Sequence, residues 1–339
     1  MKFGAVPVDE AIGALAAHSV RAGEMVVKKG TLVSPDIARQ LKKAGVETII
    51  SARLEPGDMG EDEAAARLAQ ALAGENVRVE APFTGRSNLY AKTSGVLVVD
   101  ADAIDGFNAI DEAMTTATLL AYKPVVAGEM VGTVKIIPYA IPEALVQKGL
   151  SRIGRDALRV APYGRRSVGV ISTMLPGLKP GVVDKTVAVL AKRLQPANAS
   201  IVWERRVPHD TAALAQELAA RASSDAQLII VFGASAIADR RDVIPSAIES
   251  AGGRVEHFGM PVDPGNLLLL GSIAGKPVIG APGCARSPRE NGFDWILHRL
   301  LADLPVTRAD IMSLGVGGLL MEIVSRPQPR GGGESEDEE

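Results

Sequence analysis

What most constrains this chain is a regular alternation of short apolar runs with amphipathic stretches of helical spacing from residue 168 to residue 301. Residues 168–172, 199–205, 227–232 and 278–281 read as strands, with 255–258 and 267–270 as shorter ones. Between and after them, 182–194, 211–222, 243–251 and 293–301 read as helices. Strands that must be joined by helices pair in parallel, and a parallel sheet is covered on both faces. Right-handed crossovers then gather the loops that follow the strands along one edge, where open α/β sheets bind ligands. The expected fold is therefore α/β, a mostly parallel sheet with helices on both faces over residues 163–305.

A different texture precedes it. Over residues 1–162, short β-branched runs at 48–50, 77–79, 95–99 and 133–137 are broken by Gly and Pro turns, which predicts a β-rich, mixed α+β region able to divide into two subdomains. Helices are expected at 34–44, where Ser34 caps, Pro35 fits the first turn and Gly45 suits the stop, and at 61–72 behind an acidic first turn. Pro162 and Gly164 mark the boundary. Residues 306–326 form a C-terminal extension, and 327–339 an acidic tail expected to be disordered.

Composition narrows the function classes. The 339 residues are 47% apolar and 23% charged, an ordinary globular balance. At 4% aromatic, the chain lacks rings for a single-strand stacking platform. The net charge is -3, and the five acids of residues 334–339 account for it, leaving about +2 elsewhere. No nucleic-acid footprint and no bilayer-crossing stretch are read, and a single cysteine without a secretory-leader pattern makes a cytoplasmic protein the expectation. The single cysteine, Cys284, permits no internal disulfide.

Four loops fall at the expected carboxyl edge. The first runs Ser172-Thr173-Met174-Leu175-Pro176-Gly177 and reaches Asp184 in the next helix. Its hydroxyls and helix start favour an anion, and Asp184 could hold a cation or an amino group. The second, Gly233-Ala234-Ser235-Ala236-Ile237-Ala238-Asp239-Arg240-Arg241-Asp242, lets a ligand approach its backbone beside two arginines and two aspartates. A blander reading makes Asp239 and Arg241 a surface ion pair and Asp242 a helix cap. The third and fourth are the turns Asp263-Pro264-Gly265-Asn266 and Ala281-Pro282-Gly283-Cys284-Ala285-Arg286-Ser287. The four histidines, His18, His209, His257 and His298, lack metal-ligand spacing and read as structural or surface residues. The run 271–277 is one residue short of a phosphate loop and reads as a hairpin turn.

In order and spacing these segments resemble the molybdopterin-binding domain of molybdenum cofactor biosynthesis proteins. Arg241-Asp242-Val243-Ile244-Pro245 is similar to the adenylylating branch, and the Gly265 and Gly283 turns to the molybdenum-inserting branch. Across residues 1–161 as well, segments such as Ala81-Pro82-Phe83-Thr84-Gly85-Arg86 resemble the leading part of bacterial fusions of this module to a molybdenum cofactor cytidylyltransferase. The resemblance implies a ligand, molybdopterin or the molybdenum cofactor, held by Ser172, Thr173, Asp184, Gly233, Ala234, Ser235, Asp239, Arg241, Asp242, Pro264, Gly265, Pro282, Gly283 and Ser287. Asp184 and Asp242 would face the pterin ring nitrogens or a Mg²⁺ ion. Departures from the pattern, notably Met174-Leu175-Pro176 where the family carries Gly-Asp-Glu, weaken catalysis more than binding.

The expectation is thus binding of molybdopterin and its presentation to a separate cytidylyltransferase, by a homo-oligomer. Two rivals stand beside it. One is a molybdopterin molybdenumtransferase in which Asp184, Asp239 and Asp242 organise Mg²⁺ and molybdate. The other is an α/β protein binding a nucleotide or sugar phosphate, unrelated to molybdenum.

Overall fold

The computed structural model describes residues 1–154 and 156–320. The acidic tail expected at 327–339 lies outside the described residues, as does the end of the 306–326 extension. The chain divides into two compact units, Met1–Pro162 and Tyr163–Glu339.

Among its described residues the first unit shows two hydrophobic cores, and each follows from local sequence. In the first, strands Lys2–Pro7, Thr48–Arg53 and Leu15–Ala16 form an antiparallel sheet with Thr48–Arg53 in the centre. Helix Pro35–Lys43 buries Ala38 and Leu41 with Val8, Ala11 and Ile49. Ser34 accepts the Ile37 N–H as its cap, Pro35 takes the first turn, and Gly45 follows with φ near +80°. In the second, four antiparallel strands run in the order Met114–Thr118, Met130–Ile136, Arg86–Ala91 and Val77–Val79. Helix Glu61–Leu72 lays Ala64, Ala65, Leu68, Ala69 and Leu72 into that core, spaced for one face. Its acidic first turn does more than suit the macrodipole. Asp62 accepts the Gly85 N–H at 2.6 Å, fixing the 83–86 turn.

In the second unit, β1 (Ser167–Met174), β2 (Ser200–Pro208), β3 (Leu228–Phe232), β4 (Arg254–Phe258), β5 (Leu269–Ile273) and β6 (Lys276–Ala281) form one sheet in the order β2-β1-β3-β6-β5-β4. The pairs β1/β2, β1/β3 and β3/β6 are parallel, while β5 is antiparallel to both neighbours. The helices are α1 (Pro180–Leu194), α2 (Thr211–Arg221), α3 (Val243–Ser250) and α4 (Gly292–Leu301). Side chains alternate faces along a strand. Ile171, Ile229, Val231 and Val278 accordingly share a core with Leu214 and Leu218 of α2 and with Ile244, Ala247 and Ile248 of α3. Val168, Val170, Leu228 and Ile230 on the opposite face are equally buried. α1 and α4 are joined by the Arg193–Asp294 ion pair, and their Leu190, Leu194, Ile296 and Leu297 are buried as well.

The sheet is thus mainly parallel, with β5 and β6 forming an antiparallel hairpin. Ala274 and Gly275 at its turn both have positive φ, as a two-residue hairpin turn requires, so the 271–277 run is the hairpin its composition suggested. Trp203 of β2 lies over Gly169 of β1, where a Cβ would come within 2.1 Å of the indole. The two edge strands are β2, which carries Glu204, Arg205 and Arg206 and ends at Pro208, and β4, whose register shifts between Val255 and His257.

Candidate functional site

The carboxyl ends of β1, β3, β4 and β6 lead into the four loops, and polar groups there and at the end of β2 form two clusters, one on each face of the sheet. Thr173, near the end of β1, points to the α2/α3 face with Ile171. Its hydroxyl accepts the Ala234 N–H at 2.8 Å and lies 2.8 Å from Nδ1 of His209. Nε2 of the same ring lies 2.9 Å from the hydroxyl of Ser235. His209 is placed by the strand that precedes it, because its backbone N–H donates to Met174 O as β2 ends. Sequence reading assigned this histidine no site role. The signal available was its position directly after a parallel strand, where side chains reach the edge; metal-ligand spacing was the wrong criterion.

On the α1/α4 face, Ser172 of β1, Arg206 of β2 and Phe232 of β3 are register partners and so share a side. Arg206 donates to Asp184 of α1 at 2.6 Å and to Glu204 at 2.7 Å. Those hydrogen bonds, to Glu204 first and Asp184 second, raise the guanidinium pKa further above its ordinary value. Asp184 thus sits past the first turn of α1, on a strand arginine, and is not that helix's cap. Arg286, in the fourth loop, lies over the Phe232 ring and donates to Gly233 O at 2.5 Å and to Thr186 at 3.4 Å. Burial lowers its pKa. Ser172 itself is 2% exposed, and its hydroxyl has no hydrogen-bond partner among the described residues.

The second loop is held by its own polar residues. Asp242 caps α3 through Val243 N–H at 2.7 Å and accepts Ala238 N–H at 3.0 Å. Asp239 accepts both the backbone and the Nε of Arg241, and those bonds pull its carboxyl below the usual range. The blander reading of these acids is what the geometry has. Ile237 is buried in the α2/α3 core and anchors the loop, leaving Ser235 and Ala236 exposed. Gly233 cannot be replaced cheaply, since a Cβ would lie 2.7 Å from Ser235 O.

The third and fourth loops differ in accessibility. Pro264 and Gly265 are buried: Pro264 O accepts Gly292 N–H, and a Cβ on Gly265 would meet the Gly292 backbone at 2.9 Å. This turn is packed under the start of α4 and is not brought to the open rim. Pro282 is buried and Gly283 exposed, with nothing within 4 Å of where its Cβ would be. The fourth loop is gripped from below by Arg193 of α1, which donates to Asp294 at 2.6 Å, Ala285 O at 2.8 Å and Ser287 O at 2.6 Å. Cys284 contributes to the same closure, its thiol 3.5 Å from Asn291 Oδ1.

A divalent cation finds no donor set here. Asp184 is paired with Arg206, Asp239 with Arg241, and both carboxylate oxygens of Asp242 accept backbone N–H groups. Among the described residues no group of three or more His, Cys, Asp or Glu side chains could hold a metal. The expected Mg²⁺ is therefore not supported. Nor is any helix among them long and apolar enough to cross a membrane.

No curated protein matches the chain. Solved structures align at low similarity, among them the following two. A molybdopterin biosynthesis MoeA protein from Pyrococcus horikosii is 16% identical with a TM-score of 0.32, over 89% of this chain and 75% of that one. A molybdenum cofactor biosynthesis protein B is 15% identical with a TM-score of 0.31, over 42% of this chain and 96% of that one. Likenesses of this size carry no argument about function. Residues 5–53 match a family model for a domain of unknown function. Residues 168–302, which include β1 to β6 almost entire and all four loops, match the model described as a probable molybdopterin binding domain.

Proposed function

We propose that the second unit binds molybdopterin, or the molybdenum cofactor, at the carboxyl edge of its sheet, in molybdenum cofactor biosynthesis. The observation that carries this reading is the coincidence of the molybdopterin-binding family match with a stretch whose loops present small exposed residues and hydroxyls at one rim. Ser235, Ala236 and Gly283 leave backbone open to a bulky ligand, and Arg286 adds positive charge behind them. The reading is binding and handover to a separate cytidylyltransferase. The acids that molybdate insertion would need are engaged within the chain, which weighs against the catalytic rival.

The test is oxidation of freshly purified full-length protein and inspection for a fluorescent pterin derivative, repeated with Gly283→Val. A side chain at Gly283 meets open space, so this variant should unfold like the parent while losing the pterin signal. A folded parent that yields no pterin derivative when prepared from cells making the cofactor refutes the proposal. Retention of an added cytidylyltransferase on the pterin-loaded protein, and not on the empty one, tests the handover.

A further inference from the structure

The strongest unexplained constellation is the chain of contacts Ala234, Thr173, His209, Ser235. Its proton inventory has one consistent solution. The Thr173 hydroxyl is 1% exposed and accepts the Ala234 N–H. The acceptor it meets for its own proton, among the described residues, is Nδ1 of His209. A neutral imidazole has one donor and one acceptor nitrogen. If Nδ1 accepts from Thr173, Nε2 carries the proton and donates to Ser235 Oγ at 2.9 Å. The Ser235 proton is then left free at an exposed position on the rim. The reverse order would bury the Thr173 proton with no acceptor, an outcome folded proteins avoid.

We propose that Thr173 and His209 form a proton-ordered relay that fixes Ser235 as a hydrogen-bond donor at the rim, selecting a ligand group that only accepts, namely an ionised phosphate oxygen. His209 is then a positioning residue that acts through Ser235 and does not touch the ligand. In molybdopterin that group is the terminal phosphate, so the assignment deepens the proposed function and rests on it for the ligand's identity. The relay itself rests only on the three contacts.

Two measurements on the full chain test it. Long-range proton–nitrogen correlation spectra of ¹⁵N-histidine protein should show His209 with Nε2 protonated and Nδ1 bare, and Thr173→Val should abolish that preference. The opposite tautomer in the parent overturns the relay. Inorganic phosphate, titrated against parent, Ser235→Ala, His209→Phe and the double variant, should bind each single variant roughly tenfold more weakly than the parent. The double variant should be no weaker than Ser235→Ala, because His209 acts through that hydroxyl. Additive losses, unchanged affinity in His209→Phe, or a parent that does not bind phosphate overturn the proposal. Phosphate results as expected from a protein that yields no pterin leave the relay standing and remove the pterin reading. Pterin retained equally by parent and Ser235→Ala does the reverse.

Discussion

Replacing Arg193 by methionine should loosen the fourth rim loop and destabilise the second unit. The Arg193 and Asp294 side chains are only 8% and 13% exposed, and they meet at 2.6 Å. The same guanidinium holds Ala285 O, Ser287 O and Arg289 O and sits 5.8 Å from the Phe293 ring. Methionine keeps the stem and removes the charge, stranding a carboxylate and three carbonyls. Breaking a buried pair from one side costs about 3–5 kcal/mol. Asp294 keeps its bond from Asn291 N–H at 2.9 Å, which puts the expected loss at the lower end, about 3 kcal/mol. For a unit of this size that lowers the melting temperature by roughly 6–12 °C. Both tryptophans of the chain, Trp203 and Trp295, belong to this unit, so urea unfolding followed by indole fluorescence reports it selectively. Hydrogen exchange should quicken at residues 283–289 without a matching change around the Thr173–His209 cluster. Asp294→Asn added to Arg193→Met should recover part of the loss, because the uncompensated charge is gone. A cost below about 1 kcal/mol, the range of an exposed pair, would refute the reasoning.

Other expectations follow from single contacts. Gly169→Ala drives a methyl into the Trp203 indole and should cost about 1–3 kcal/mol as overpacking, with red-shifted emission as Trp203 is expelled; unchanged emission would count against the packing described. Ser172→Ala removes a buried hydroxyl that satisfies no partner, so urea unfolding should show a change within about 1 kcal/mol, on the stabilising side. Burial lowers the pKa of His298 below its ordinary value of 6.5, with Tyr163 OH 2.8 Å from its Nδ1. The unfolded chain therefore takes up this proton at higher pH than the folded one, and stability is full above about pH 6.5 and falls as pH drops below it. Melting temperatures measured from about pH 8 down to pH 5 should show a shallower acid slope for His298→Gln, and an unchanged slope would remove His298 as a cause.

What could be read from the sequence was whatever depends on local pattern. The 61–72 helix, the 77–79 and 95–99 strands and the 34–44 helix with its Ser34 cap rest on spacing and turn chemistry, and the elements appear there. The alternation beyond residue 167 likewise yields β1, β2 and β3 with α1 to α3 between and after them. What depends on which loop lies over which could not be read. Pro264-Gly265 and Pro282-Gly283 look alike as dipeptides, yet one is sealed beneath α4 and the other is open. Asp242 as a cap and Asp239 as an ion-pair partner differ from candidate ligands only in where their oxygens already point. His209 gave no pattern because its partners come from two other strand ends, 36 and 26 residues away in the chain.

The flanks of the second sheet carry a consequence of their own. An unprotected outer strand is a template on which a foreign chain can dock its backbone and start aggregation. On β2 the run of charged side chains Glu204, Arg205 and Arg206, closed by Pro208, makes such an addition electrostatically and sterically awkward, and on β4 the bulge breaks the ladder an incoming strand would need. Extension of this sheet by an added strand is thereby disfavoured at both of its flanks.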